Sequence, residues 1–127
     1  MKYLLDTHTA LWSLYDKQKL SGKAKSIISN ISFPLYISIV SAWEIAIKLN
    51  IGKLNLTGGS SYFLEKMNEN GVRLLGLESS YIKQVEDLPL IHRDPFDRLL
   101  IATAIVENMT ILTADENIHQ YNIPYVW

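Results

Sequence analysis

The chain has 127 residues, of which 48% are hydrophobic and none is cysteine, and its formal net charge is −1. This length predicts one domain over residues 1–127 with a buried core, and the missing cysteines exclude a disulfide scaffold and a thiolate metal site. The near-neutral charge excludes nucleic-acid binding by bulk electrostatics. Because no apolar run is long enough to span a membrane, we expect a cytoplasmic protein that contacts no membrane.

The first part of the chain alternates predicted strands with predicted helices. Short apolar or β-branched runs indicate the strands, and apolar residues at helical spacing indicate the helices. The predicted elements are a strand at 3–5, a short helix at 10–15, a helix from the Ser21 cap through Ile31, a strand at 35–39, a helix from Ser41 to Leu49, and a helix from Ser60 or Ser61 to a C-cap at Asn70.

The second part of the chain continues this alternation. Its predicted elements are a strand-like run at 72–77, a helix at 78–85, a helix that opens at Asp94 and runs to Val106, a strand at 110–113, and a last edge strand at 123–126. Strands that alternate with helices imply a mostly parallel central sheet covered by helices on both faces. The predicted fold class is therefore α/β.

The helix that opens at Asp94 has a clearly marked start. Asp94 is a favoured N-cap residue, and Pro95 suits the first helical position, where its missing N–H costs nothing. Asp97 then lies in the first turn. The run from Leu99 to Val106 is apolar on nearly every face, which predicts a helix that is buried all round.

Four acids are expected at one edge of the predicted sheet. Asp6 and Asp115 each directly follow a strand, while Glu44 and Asp97 each lie in the first turn of a helix. In parallel α/β folds, ligand sites form outside the carboxyl ends of the strands. The sequence therefore predicts that these four carboxylates converge.

Each acid also has a purely structural interpretation. Asp6 and Asp115 can cap the helices that follow them, and Asp97 can interact with a helix dipole. Glu44 can complete a capping box with Ser41, since Ser-x-x-Glu is the signature of that motif. A carboxylate pair about 4 Å apart nevertheless costs roughly 4 kcal/mol at an effective dielectric near 20. A hard divalent cation such as Mg²⁺ or Mn²⁺ offsets that repulsion.

Neighbouring polar and aromatic residues carry weaker signals. Thr7 and Thr113 each lie within two residues of an acid, so their hydroxyls can bond a carboxylate or a phosphate. The three histidines show no metal-ligand spacing, and we assign no metal role to them. Three aromatic residues are expected in the core rather than in base stacking: Trp12, Trp43 and Tyr81.

Four segments resemble the motifs of the PIN-domain family, and in particular those of VapC-type toxins from type II toxin–antitoxin systems. They are LLDTH at 4–8, SAWEI at 41–45, HRDPFDRLLIA at 92–102 and LTAD at 112–115. The resemblance implies a PIN-like fold and a Mg²⁺- or Mn²⁺-dependent endoribonuclease that forms a homodimer and is silenced by a cognate antitoxin. It implies catalytic and metal-binding roles for Asp6, Glu44, Asp97 and Asp115.

The same resemblance makes RNA the expected substrate, although the chain as a whole is not basic. Its positive contacts with RNA must therefore be local. We expect Arg93 and Arg98, which flank the acids of the third motif, to contact RNA. Asp94 belongs to that motif as well, but its position suits a helix cap better than a metal ligand.

Three alternative functions are open. A Mg²⁺-dependent phosphatase of the haloacid-dehalogenase type also has an aspartate after its first strand, but it needs a second one two residues later, where this chain has His8. A receiver-like signalling module would need paired acids near the first strand and a lysine after a late strand, and neither is evident. The third alternative is a PIN fold that binds or processes RNA outside a toxin–antitoxin pair.

Overall fold

The computed structural model describes residues 1–127. The strands are β1 (Tyr3–Leu5), β2 (Leu35–Ser38), β3 (Arg73–Leu75), β4 (Thr110–Leu112) and β5 (Tyr125–Val126). The helices are α1 (Thr7–Tyr15), α2 (Gly22–Ser29), α3 (Ile39–Asn50), α4 (Gly59–Glu69), α5 (Ser79–Val85), α6 (Pro95–Glu107) and α7 (Glu116–His119). None of these helices combines the length and the apolarity needed to cross a membrane.

The five strands form one sheet in the order β3-β2-β1-β4-β5. All four strand pairs are parallel, and Tyr3 of β1 is in register with Leu35 of β2 on one side and Thr110 of β4 on the other. The predicted α/β class with a parallel sheet is confirmed. Because the strands are parallel, all their carboxyl ends lie at one edge.

The core lies on both faces of the sheet, because successive residues of a strand point to opposite sides. Leu5 packs in a cluster with Ile45 of α3 and Phe63 of α4. Leu4 packs in a second cluster with Ile101 of α6. Every residue of β1 is buried, as a strand covered on both faces requires.

Helix α3 begins earlier than its sequence suggests. Its N-cap is Ser38, whose Oγ accepts the Val40 N–H at 3.0 Å. This rules out the structural alternative of a capping box between Ser41 and Glu44. The predicted position of Glu44 in the first turn is wrong, since Glu44 lies in the second turn. The β-branched Ile39 and Val40 favour a strand locally, but burial of Val40 in the core outweighs its small loss in helix propensity.

Helix α6 is not buried on every side, so that prediction was wrong for its last turn. Leu100 and Ile101 are fully buried, whereas Ile105 is 40% exposed and Val106 is 39% exposed. The helix covers one face of the sheet and packs against α5 along one flank. Neither neighbour covers the outer side of its last turn, which leaves these two apolar side chains in solvent.

The prediction that three aromatic residues lie in the core holds for one of them. Tyr81 is buried and Trp12 is half-buried, but Trp43 is 59% exposed and therefore contradicts the prediction. Helix α3 packs on the sheet through Ile45, and two residues along a helix differ by about 200° in direction. Trp43 instead lies edge-on against Phe96, with ring centroids 5.3 Å apart.

Candidate active site

A small polar cavity of about 70 Å³ lies at the carboxyl edge of the sheet. No hydrophobic residue lines it. Its walls come from the start of α1, the second turn of α3, the start of α6 and the loop after β4, so the fold brings all four predicted acids together. The lining residues are Asp6, Thr7, His8, Glu44, Lys48, Asp94, Asp97 and Asp115.

Asp6 directly follows the central strand β1 and caps helix α1. Its Oδ1 accepts the Thr9 N–H at 2.7 Å, and its Oδ2 accepts a hydrogen bond from the Thr113 hydroxyl. Burial raises the pKa of the Asp6 carboxyl, and the hydrogen bonds from Thr113 and Thr9 partly oppose that rise. Asp6 therefore caps α1, as its structural interpretation predicts, and its carboxylate also lines the cavity.

Glu44 is buried and bonded through both of its carboxylate oxygens. The Thr7 hydroxyl donates to Oε1 at 2.7 Å and lies 2.9 Å from the Ser41 hydroxyl. The Lys48 ammonium, one turn along α3, lies 2.8 Å from Oε2. Thr7 thus contacts a site carboxylate, as its position in the sequence suggested, and Lys48 brings one positive charge to the cavity.

Asp97 is the third residue of α6, and its Oδ2 lies 3.1 Å from the His92 Nε2. Burial raises the pKa of Asp97, the hydrogen bond from His92 opposes the rise, and the negative charges of Asp94 and Asp115 add to it, which brings the pKa to about 6. Like-charged neighbours and burial both disfavour the ionised form. The acids of this cavity are therefore electrostatically strained without a cation.

Asp94 and Asp115 both act as helix caps at the cavity. Asp94 Oδ1 accepts the backbone N–H groups of Phe96 at 2.9 Å and Asp97 at 3.0 Å, as predicted for an N-cap. Asp115 caps α7, where its Oδ1 accepts the Asn117 N–H at 2.8 Å. Asp115 is therefore a helix cap, as its structural interpretation predicts. Its other carboxylate oxygen, Oδ2, accepts no hydrogen bond from the protein.

The two arginines predicted to bind RNA do not line the acidic cavity. Both lie in a groove of about 420 Å³ between α5 and α6, where Arg93 is exposed. Arg98 is engaged within the protein, since its Nη1 donates to the Pro89 carbonyl and to the Tyr121 hydroxyl, each at 2.9 Å. Their contact with RNA stays a prediction.

Comparison with known proteins identifies the family to which this chain belongs. The family model described as PIN domain matches residues 3–124, nearly the whole chain. The chain belongs to the PIN-domain family. A relative from Mycobacterium tuberculosis named Ribonuclease VapC22 is 30% identical over 122 residues, which are 95% of this chain and 92% of that relative. The predicted resemblance to VapC-type PIN domains is confirmed.

Solved structures with the same fold include two VapBC complexes. VapBC2 from Rickettsia felis, bound to a DNA fragment from its promoter, has a TM-score of 0.74 at 14% identity over 100% of this chain and 99% of that chain. VapBC-1 from nontypeable Haemophilus influenzae has a TM-score of 0.70 at 18% identity over 99% and 97%. At such identities the likeness establishes the PIN fold alone.

The donor chemistry of this PIN domain fits a hard divalent cation. No three His, Asp or Glu side chains stand close enough together to hold a metal ion by themselves. Mg²⁺, however, is usually bound through one or two carboxylates, with water and substrate phosphate as its other ligands. Asp97 Oδ1 and Asp115 Oδ2 accept no hydrogen bond within the protein and are free to serve as such ligands.

Two residues at the site of this PIN domain carried no role in the sequence interpretation. Lys48 could have been found, because its spacing of four residues from Glu44 puts both side chains on one helix face. His92 has no metal-ligand spacing in the sequence, and in the structure it contacts Asp97, an acid of the cavity. Its second contact, Tyr121, lies 29 residues away in sequence, and no local pattern signals it.

Proposed function

We propose that this PIN domain is the toxin of a type II toxin–antitoxin pair and a metal-dependent endoribonuclease that hydrolyses RNA phosphodiester bonds. The observation that carries the proposal is the purely polar cavity at the carboxyl edge of the sheet. The relative named Ribonuclease VapC22, similar over nearly the whole chain, supports it. Five acids around so small a space repel one another, and a cation between them would stabilise the folded protein.

Mg²⁺ or Mn²⁺ would be held among Asp6, Glu44, Asp97 and Asp115, with the free oxygens Asp97 Oδ1 and Asp115 Oδ2 as its direct protein ligands and water completing its shell. When bound, the ion supplies an activated water and neutralises charge on the phosphodiester. The chain's own contribution is to keep these carboxylates in place through fixed hydrogen-bond donors. Thr9 and Thr113 orient Asp6, Thr7 and Lys48 orient Glu44, and His92 orients Asp97.

RNA would be bound by local positive charges at the cavity and in the groove between α5 and α6. Lys48 lies at the cavity and is partly exposed, so it can reach a phosphate without leaving Glu44. Arg93 is free in solvent, and Arg98 uses only Nη1 within the protein. Since a guanidinium carries five N–H donors, the remaining donors of Arg98 are available for a phosphate.

The same proposal includes a homodimer and a cognate antitoxin as protein partners. Exposed apolar side chains are available for such contacts, among them Leu74 on β3, Ile82 on α5 and Ile105 on α6. Light scattering on the purified chain at micromolar concentration should give twice the chain mass of 14.5 kDa. A monomer mass over that range would remove the homodimer from the proposal.

Metal-dependent cleavage is the experiment that tests the proposed activity. Purified protein should cut RNA when Mg²⁺ or Mn²⁺ is present, and EDTA should stop the reaction, because the ion would supply the activated water and neutralise phosphate charge. Asp6→Asn protein purified identically controls for contaminating nuclease. Equal cleavage by the native protein in EDTA and in Mg²⁺ would contradict the proposal.

A further inference from the structure

A continuous chain of hydrogen bonds runs from helix α6 through the C-terminal region and back to the cavity. Arg98 Nη1 donates to the Tyr121 hydroxyl at 2.9 Å, and that hydroxyl lies 2.8 Å from the His92 Nδ1. The other ring nitrogen of His92, Nε2, lies 3.1 Å from Asp97 Oδ2. Tyr121 is only 4% exposed and His92 is half-buried, so water does not compete freely for these bonds.

Arg98, the donor at one end of this chain of hydrogen bonds, sets the direction of every hydrogen bond in it. A guanidinium can only donate, so the Tyr121 oxygen accepts from Arg98. The hydroxyl hydrogen then has one partner within reach, the His92 Nδ1. With Nδ1 as acceptor, the neutral ring carries its hydrogen on Nε2 and donates it to Asp97. The reverse tautomer would point a ring lone pair at the carboxylate and leave the buried hydroxyl hydrogen unpaired.

We propose that Tyr121 is a positioning residue for Asp97 and acts through the tautomer of His92. This inference rests on the proposed function, since it concerns a carboxylate that would bind the metal. Holding Asp97 Oδ2 on His92 leaves Oδ1 free of protein hydrogen bonds. Side chains that bind a metal need hydrogen bonds that hold them in place, because small displacements of a catalytic group reduce activity strongly.

Two further contacts keep the chain of hydrogen bonds rigid. The rings of His92 and Tyr121 meet edge-on with centroids 5.4 Å apart, and Tyr121 belongs to the core cluster that also contains Leu100 and Ile118. Arg98 also reaches the Pro89 carbonyl, which ties the segment before α6 to the helix. The Tyr121 hydroxyl is therefore supported from the core side, while Asp97 faces the cavity.

The test uses Tyr121→Phe, which keeps the ring in the core and removes only the hydroxyl. In the metal-free native protein, nitrogen-15 NMR of the imidazole should report the Nε2–H tautomer of His92, and the variant should show a mixture. Affinity for Mn²⁺ should fall about tenfold in the variant, as for other groups that orient a metal ligand. The kcat for RNA should fall with KM little changed, because Asp97 loses its support while Arg98 keeps its bond to the Pro89 carbonyl.

Matched variants separate positioning from a general structural effect. Tyr125→Phe removes a hydroxyl that bonds nothing in the structure and should leave all three readouts unchanged. His92→Gln retains an amide donor toward Asp97 and should bind Mn²⁺ more tightly than His92→Leu does. An unaltered tautomer and native Mn²⁺ affinity in folded Tyr121→Phe would overturn the inference. A native protein that neither binds Mn²⁺ nor cuts RNA would instead overturn the proposed function, with the metal-free tautomer measurement still deciding the role of Tyr121.

Discussion

Asp97→Asn is expected to abolish metal-dependent RNA cleavage while leaving the protein folded. Asparagine keeps the size of the side chain and can still bond His92, but it removes the negative charge that would bind the cation. A metal ion stabilises the charge of the transition state by several kcal/mol. Because about 1.36 kcal/mol corresponds to a tenfold change in rate, we expect the cleavage rate to fall roughly 100- to 1,000-fold. Cleavage rate and Mn²⁺ affinity are measured on the same preparation.

Asp94→Ser is the matched control, because it changes an acid only one turn away. Asp94 accepts two backbone N–H groups as the α6 cap, and serine is nearly as good an N-cap. The substitution should therefore cost well under about 1 kcal/mol of folding free energy and retain most of the cleavage activity. Loss of Mn²⁺ binding in Asp94→Ser together with an active Asp97→Asn would reverse the roles assigned to the two acids.

The free energy of unfolding of the metal-free protein is expected to fall as pH rises from about 4 to about 6. Burial raises the pKa of Asp97 from 3.8 to about 6, so over this interval the folded state keeps a proton that the unfolded state has lost. Stability falls with pH wherever the folded state binds more protons. Two pKa units correspond to roughly 3 kcal/mol, and the raised pKa of Asp6 acts in the same direction.

Asp97→Asn removes this titration and leaves the other acids in place. Without metal the variant should be more stable at pH 7.5 by up to that amount, and the difference should vanish near pH 4. Mg²⁺ should raise the melting temperature of the native protein by mass action and raise that of the variant much less. A variant less stable than the native protein at pH 7.5 would favour a role for Asp97 in helix stability alone.

The features predicted correctly depend on residues that are close together in the sequence. The apolar run before Asp6 predicts a buried strand with an acid at its end, and Asp94 with Pro95 marks the start of α6. The alternation of strands and helices was enough to predict the parallel sheet and the convergence of the acids at its carboxyl edge. Periodicity and capping chemistry act over a few residues, and so they can be read from the sequence.

The features that were missed depend on contacts between distant segments. Nothing near Ile39 says that a β-branched residue will begin a helix, because the burial of Val40 decides it. Nothing near Trp43 says which side of α3 faces the sheet. The bond between His92 and Tyr121 joins residues that become neighbours only when α7 packs beside α6. Local patterns cannot contain such information, since tertiary packing overrides them.

The position of β1 at the centre of the sheet also affects when the acidic site can form during folding. Its neighbour β4 is more than 100 residues later, and the Asp6–Thr113 bond spans 107 positions. Contacts of such sequence separation form late, because a long loop must close first. While the chain is being synthesised, the segment with Asp6 leaves the ribosome long before the segments with Asp97 and Thr113. We therefore expect the nascent polypeptide to be inert until its last quarter has been added, so that a nuclease with this topology does not attack RNA from a half-made chain.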